Sequence, residues 1–112
     1  MISLKKTHQA SFSEYLIQKV WEKAQTIENM DPGIYRLDNC GALIKNVLYL
    51  NEYKSLSMGW EIDLIQPRSK GGVDDLCNLQ ALQWENKKSK AEDYPFWKCT
   101  ISGDKNGNFY LK

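Results

Sequence analysis

The chain of 112 residues has a single histidine, His8, so any imidazole base in this protein must be that one residue. It lies in a segment, residues 1–10, that reads as a flexible arm, which leaves it either a solvated tail residue or a substitute base. The three cysteines, Cys40, Cys77 and Cys99, are odd in number and widely separated. No Cys-x-x-Cys pair is present, so neither a zinc knuckle nor a disulfide framework is expected; the three read as free thiols, Cys40 and Cys99 partly packed in the core. An apolar run of membrane-spanning length is missing, as is a signal-peptide pattern, so a cytoplasmic protein is expected. Charge of one sign is also missing. With a net charge of +1, the chain as a whole exerts no strong pull on a nucleic acid, and any such binding would rest on a local patch.

Against these absences stand a 42% hydrophobic fraction, four Trp and six Tyr, which mark a folded chain with a modest core. No repeat, low-complexity tract or linker divides it, so residues 1–112 are expected to form one domain. Ser11-Phe-Ser-Glu14 fits a capping box, and Leu16, Ile17, Val20, Trp21, Ala24 and Ile27 recur at helical spacing until Asp31-Pro32-Gly33. Ile34–Leu37 and Ala42–Ile44 flank Asp38-Asn39-Cys40-Gly41 as a hairpin would. A second hairpin is expected near the end, where Thr100-Ile-Ser and Asn108-Phe-Tyr-Leu flank Asp104-Lys-Asn-Gly107. Between these, residues 45–58 form a connector in which Tyr49, Tyr53 and Lys54 either pack or touch a substrate.

Chemistry concentrates in residues 60–92. Trp60, Ile62 and Leu64 alternate with Glu61, Asp63 and Ile65, so an extended segment sets Asp63 on the face opposite the Trp-Ile-Leu stripe. A Gly-rich loop follows, then Leu79-Gln80-Ala81-Leu82 as a second strand and Trp84 to about Glu92 as a helix free of Gly and Pro. Asn86 and Lys90 stand four residues apart and project from one side of that helix. Folded back on the hairpin, the helix would bring Asn86 beside Asp63. A carboxylate and an amide carbonyl make a hard-oxygen pair suited to Mg2+ or Mn2+.

The ordered set Asp63, Pro67-x-Ser69-x-Gly71-Gly72, Asn78-Leu79 and Asn86, spaced by fifteen residues from Asp63 to Asn78 and by eight from Asn78 to Asn86, resembles the core of the HNH endonucleases. With the Asp38-x-Cys40-Gly41 turn and the Gly59-Trp-Glu-Ile-Asp run, the resemblance extends over roughly residues 34–97. It implies an α+β fold: a ββα-metal core over residues 60–92, an N-terminal helix and additional short hairpins. It also implies hydrolysis of phosphodiester bonds with one divalent metal, Mg2+ or Mn2+, on Asp63 and Asn86, and no structural zinc. Asn78 would orient the loop, while Arg68, Lys70, Lys87, Lys88 and Lys90 would meet the phosphates of a nucleic acid, DNA ahead of RNA.

One residue departs from the pattern. The family follows the aspartate with the histidine that activates water, and here Asp63 is followed by Leu64. Leucine has no lone pair to offer, so the general base is lost at a cost of about 10²- to 10⁴-fold in rate. The resemblance thus implies a nuclease by descent that is inactive or strongly impaired, whether Leu64 is natural or introduced. The alternative is a non-catalytic module that binds nucleic acid or protein on an HNH scaffold. Blander roles exist for the same residues. Asp74-Asp75 suits a turn or a helix cap as well as a metal, Gly71-Gly72 suits a loop reversal as well as a phosphate cradle, and Lys87, Lys88 and Lys90 suit a solvated helix face.

Overall fold

Ser13 starts the first helix, α1 (Glu14–Lys23), by accepting the Leu16 N–H on its hydroxyl at 3.1 Å, with Glu14 in the first turn where the helix dipole favours an acid. The fold is described here by a computed structural model that covers residues 12–103 and 109–111. The expected flexible arm with His8, and Ser11 of the expected capping box, lie outside the described residues; the cap is made by Ser13.

The helix is shorter than its apolar periodicity predicts. Ala24 turns extended (φ −70°, ψ 155°), and Gln25 exchanges two backbone hydrogen bonds with Leu37, at 3.0 and 2.8 Å. Strand-like pairing to Leu37 therefore competes with further helix, and residues up to Asp31 form loop and turns instead. Ile27 is still buried, which explains why its helical spacing misled.

The two strands predicted around Asp38–Gly41 are present as β1 (Tyr35–Leu37) and β2 (Leu43–Lys45), paired antiparallel with Arg36 opposite Ile44. Gly41 takes φ +83° in the turn, a left-handed conformation that glycine adopts freely. Next come β3 (Trp60–Leu64) and β4 (Leu79–Gln83), antiparallel, with Ile62 opposite Ala81 and Asp63 opposite Gln80. The second helix, α2 (Trp84–Lys90), follows at once, its first N–H groups capped by the Gln83 side chain, which accepts from Glu85 and Asn86 at 2.8 and 3.2 Å. Last, β5 (Ile101–Gly103) pairs with β6 (Phe109–Leu111); the turn predicted at residues 104–107 lies outside the described residues. The architecture is α+β; among the described residues it comprises three separate two-stranded antiparallel sheets and two α-helices.

The β3–β4 hairpin divides the molecule into two layers. On one face, Trp60, Ile62, Leu79 and Ala81 pack with Val20, Trp21 and Ala24 of the α1 region and with Ile44 in one apolar cluster. The Trp21 and Trp60 rings lie 5.4 Å apart, and the Tyr49 ring packs tilted against Trp60 at 4.9 Å, which makes Tyr49 a packing residue. Burial and the neighbouring Glu61 push its phenol up to about 12. On the opposite face lie Asp63 and Gln80, under α2.

The cysteines depart from expectation. Cys40 and Cys99 form a disulfide with Cα atoms 5.9 Å apart, and Cys77 alone is free and exposed. A separation of 59 residues hides the pair in the sequence; the tertiary fold sets the β1–β2 turn beside the strand that follows α2. Among the described residues no helix is long and apolar enough to cross a membrane.

Candidate functional site

Asp63 is 3% exposed, and its company differs from the one expected. Its Oδ2 accepts a hydrogen bond from Gln80 Nε2 at 2.9 Å and stands 3.3 Å from Lys90 Nζ. Lys90, 1% exposed at the end of α2, also donates to the Leu64 carbonyl oxygen at 2.9 Å. One ammonium therefore bridges the Asp63 carboxylate and the backbone of the next residue. Burial pushes the Asp63 carboxyl up; the Gln80 hydrogen bond and the Lys90 and Lys87 charges pull against that shift. The chain of polar contacts continues outward, since Gln80 Oε1 accepts from Asn39 Nδ2. It ends at a small cavity of about 80 Å³ lined by Lys23, Ala24, Asn39, Ile65, Gln80 and Ala81.

Asn86 faces elsewhere. Its Oδ1 accepts from the backbone N–H groups of Thr100 and Ile101, both at 2.8 Å, and its Nδ2 donates to Asp38 Oδ2 at 3.0 Å and to the Ile101 carbonyl at 2.8 Å. A carboxamide has two donors and two acceptor positions, and all four are used. Asn86 and Lys90 do share the inward side of α2, as their spacing requires. It is Lys90, one turn further on, that reaches Asp63.

Asp38 is the residue that sequence reasoning passed over. The sequence marks it only as part of a turn, yet its Oδ1 accepts from the N–H groups of Cys40 and Ala42 at 2.9 and 2.8 Å, and its Oδ2 from the Gln83 N–H at 2.8 Å as well as from Asn86. Burial pushes this carboxyl up, while the four donors oppose the shift. The signal available beforehand was local: an Asp three residues before Gly41 is placed to form an Asx-type turn. Its bonds to Gln83 and Asn86 span 45 and 48 residues and left no such trace. Gln80, Gln83 and the buried role of Lys90 were likewise missed.

The loop between β3 and β4 is tied by Asn78, whose Nδ2 donates to the carbonyls of Gln66 and Val73 at 3.0 and 2.9 Å and whose Oδ1 accepts the Gln66 N–H at 2.9 Å. Gly71 has φ +92°, and a Cβ on Gly72 would overlap the Gln66 carbonyl oxygen, so both glycines serve the reversal of the chain. The basic residues are unevenly available. Arg68 Nη2 lies 2.6 Å from both Asp74 oxygens, Lys70 Nζ donates to the Glu92 carbonyl at 3.0 Å, and Lys90 is buried. Lys87 is half-buried, and Lys88 is exposed with its ammonium 5.5 Å from the Trp84 ring centre. Asp75 precedes a short 3₁₀ turn (Leu76–Asn78) without a side-chain cap bond. Leu64 is half-buried against the apolar cluster.

The metal expected on Asp63 and Asn86 does not fit this arrangement. The amide oxygen of Asn86 is spent on two N–H groups, and the Asp63 oxygen nearest α2 faces an ammonium. No group of three or more His, Cys, Asp or Glu side chains suited to a metal occurs among the described residues. No family model, curated protein or solved structure matched the chain.

Proposed function

We propose that the protein is a non-cleaving module on an HNH-like ββα scaffold that binds nucleic acid. The order β3, loop, β4, α2, with Asp63 on the first strand and Asn78 tying the loop, supports the scaffold. The observation that carries the non-cleaving half is the buried Asp63–Lys90 pair at 3.3 Å: a fixed ammonium neutralises the carboxylate that a nuclease of this kind would give to its metal. Leu64 removes the base as well, so both halves of the hydrolytic machinery are replaced by residues without that chemistry. Of the five basic residues expected to meet phosphates, half-buried Lys87 and exposed Lys88 on α2 are the ones left for that role, and Trp84 beneath Lys88 adds an aromatic surface.

The test is binding and cleavage side by side. Plasmid and single-stranded DNA are incubated with the protein and with its Leu64→His variant in Mg2+ or Mn2+, and affinity is followed by fluorescence anisotropy. The expected result is binding by both and cutting by neither, because restoring an imidazole leaves Lys90 on Asp63. Metal-dependent cutting by the variant, abolished by Asp63→Ala, would overturn the proposal in favour of a nuclease lacking only its base. Absence of binding by the folded protein would point to a protein-interaction module instead.

A further inference from the structure

The Cys40–Cys99 disulfide joins two parts of the chain that also meet through the Asn86 side chain and through the approach of Gly41 to Gly103. The Asp38–Gly41 turn lies against the end of β5, so close that a Cβ on Gly41 would stand 3.1 Å from the Gly103 carbonyl oxygen. Asn86 ties Asp38 to Thr100 and Ile101, the residues immediately after Cys99. Between α2 and Cys99 the chain has no regular structure. Its first residues are anchored, Ala91 and Asp93 by backbone bonds to α2 and Glu92 by Ser69 and Lys70. Residues 94–98 make no hydrogen bond to another described residue; Phe96 is 88% exposed, and Trp97 is half-buried. Both cystine residues are half-buried, so neither is enclosed in the core, and exchange needs access of a thiolate to one of the two sulfur atoms.

We propose that this disulfide is a reversible redox latch on the aromatic segment Tyr94–Lys98. A dithiol reductant attacks one sulfur, passes through a mixed disulfide and leaves as its own disulfide. Two electrons and two protons end on Cys40 and Cys99 as thiols. With the S–S bond cut, the hydrogen bonds among the described residues hold residues 94–99 at their two ends, by α2 and by the Asn86 clamp. The ββα part of the fold stays in place, because Asn86, Asp38 and the apolar cluster do not involve sulfur.

Limited proteolysis by chymotrypsin and trypsin read by mass spectrometry, with Cys77→Ser as background to prevent thiol scrambling, tests this on the full chain. Measurements are made before and after a dithiol, and on the Cys40→Ser/Cys99→Ser variant. The expected result is ~10-fold or greater faster cleavage after Phe96, Trp97 and Lys98 in the reduced protein and in the double variant, with a native circular dichroism spectrum and full reversal on reoxidation by a disulfide such as oxidised glutathione. Unchanged cleavage over 94–99 would overturn the latch. So would loss of the native spectrum on reduction, which would make the disulfide a staple of the whole fold. Peptide mapping that finds Cys40 and Cys99 unlinked after oxidation would overturn it equally.

Discussion

At the scale of single residues, Asp63 and Lys90 form an ion pair at 3.3 Å in which both side chains are buried. Removing one partner of a buried ion pair leaves the other charge uncompensated, which costs about 3 to 5 kcal/mol, whereas replacing both by apolar side chains is far milder. Lys90→Met is therefore expected to lower stability by that amount, and Asp63→Leu/Lys90→Met to recover most of it, as read by urea denaturation. The pH dependence has a definite sign. Burial raises the folded carboxyl of Asp63 above its unfolded value, so its contribution to stability is fully present below the unfolded value of about 3.9 and is lost as pH rises through the folded one. Lys90 is one of the influences holding that shift down. In Lys90→Met the loss with rising pH becomes larger and continues to higher pH, and a variant equally stable at pH 4 and pH 7 would refute this account.

At the scale of elements, Asn86 is the joint between β1–β2, α2 and β5. Its four hydrogen bonds reach Asp38, Thr100 and Ile101 from a side chain with no exposed surface. At about 1 kcal/mol net for each bond, with the added penalty of buried groups left unpaired, Asn86→Ala is expected to cost about 3 kcal/mol or more. Thermal unfolding with and without Mn2+ separates a joint from a metal ligand, since a joint gives the same loss in both. Much at this scale was legible in advance. Both inner hairpins and α2 follow from alternation, turn residues and helix formers, because these signals are local. The end of α1 was not legible, because Gln25 is drawn out of the helix by Leu37, twelve residues further along.

At the scale of the whole molecule, a net charge of +1 offers no general attraction, so the proposed binding to nucleic acid would depend on a few cations in one place. Arg68 and Lys70 are occupied by Asp74 and by the Glu92 carbonyl, so in the proposed interaction Lys87 and Lys88 would meet the phosphates. Each phosphate contact contributes about 0.9 to the slope of log affinity against log salt on duplex DNA. Lys87→Glu and Lys88→Glu are each expected to weaken duplex binding and to flatten that slope by about one, measured by anisotropy titrations across a salt series. Equal slopes for the variants and the parent would place the binding surface elsewhere.

The sequence by itself determined the α+β character, the strand pairs and which face of β3 is apolar, since period-two alternation and turn chemistry act between near neighbours. The expectation that Leu64 stands where HNH endonucleases have their base rests on the sequence resemblance alone. Only the tertiary structure decided which side chain meets Asp63, that Cys40 joins Cys99, and that Asp38 anchors α2. Asn86 and Lys90 lie on the same side of one helix, and their spacing treats them alike. The docking of α2 between the hairpin and β5 turns one toward Asp38 and the other toward Asp63, and that choice belongs to packing between elements far apart in the chain.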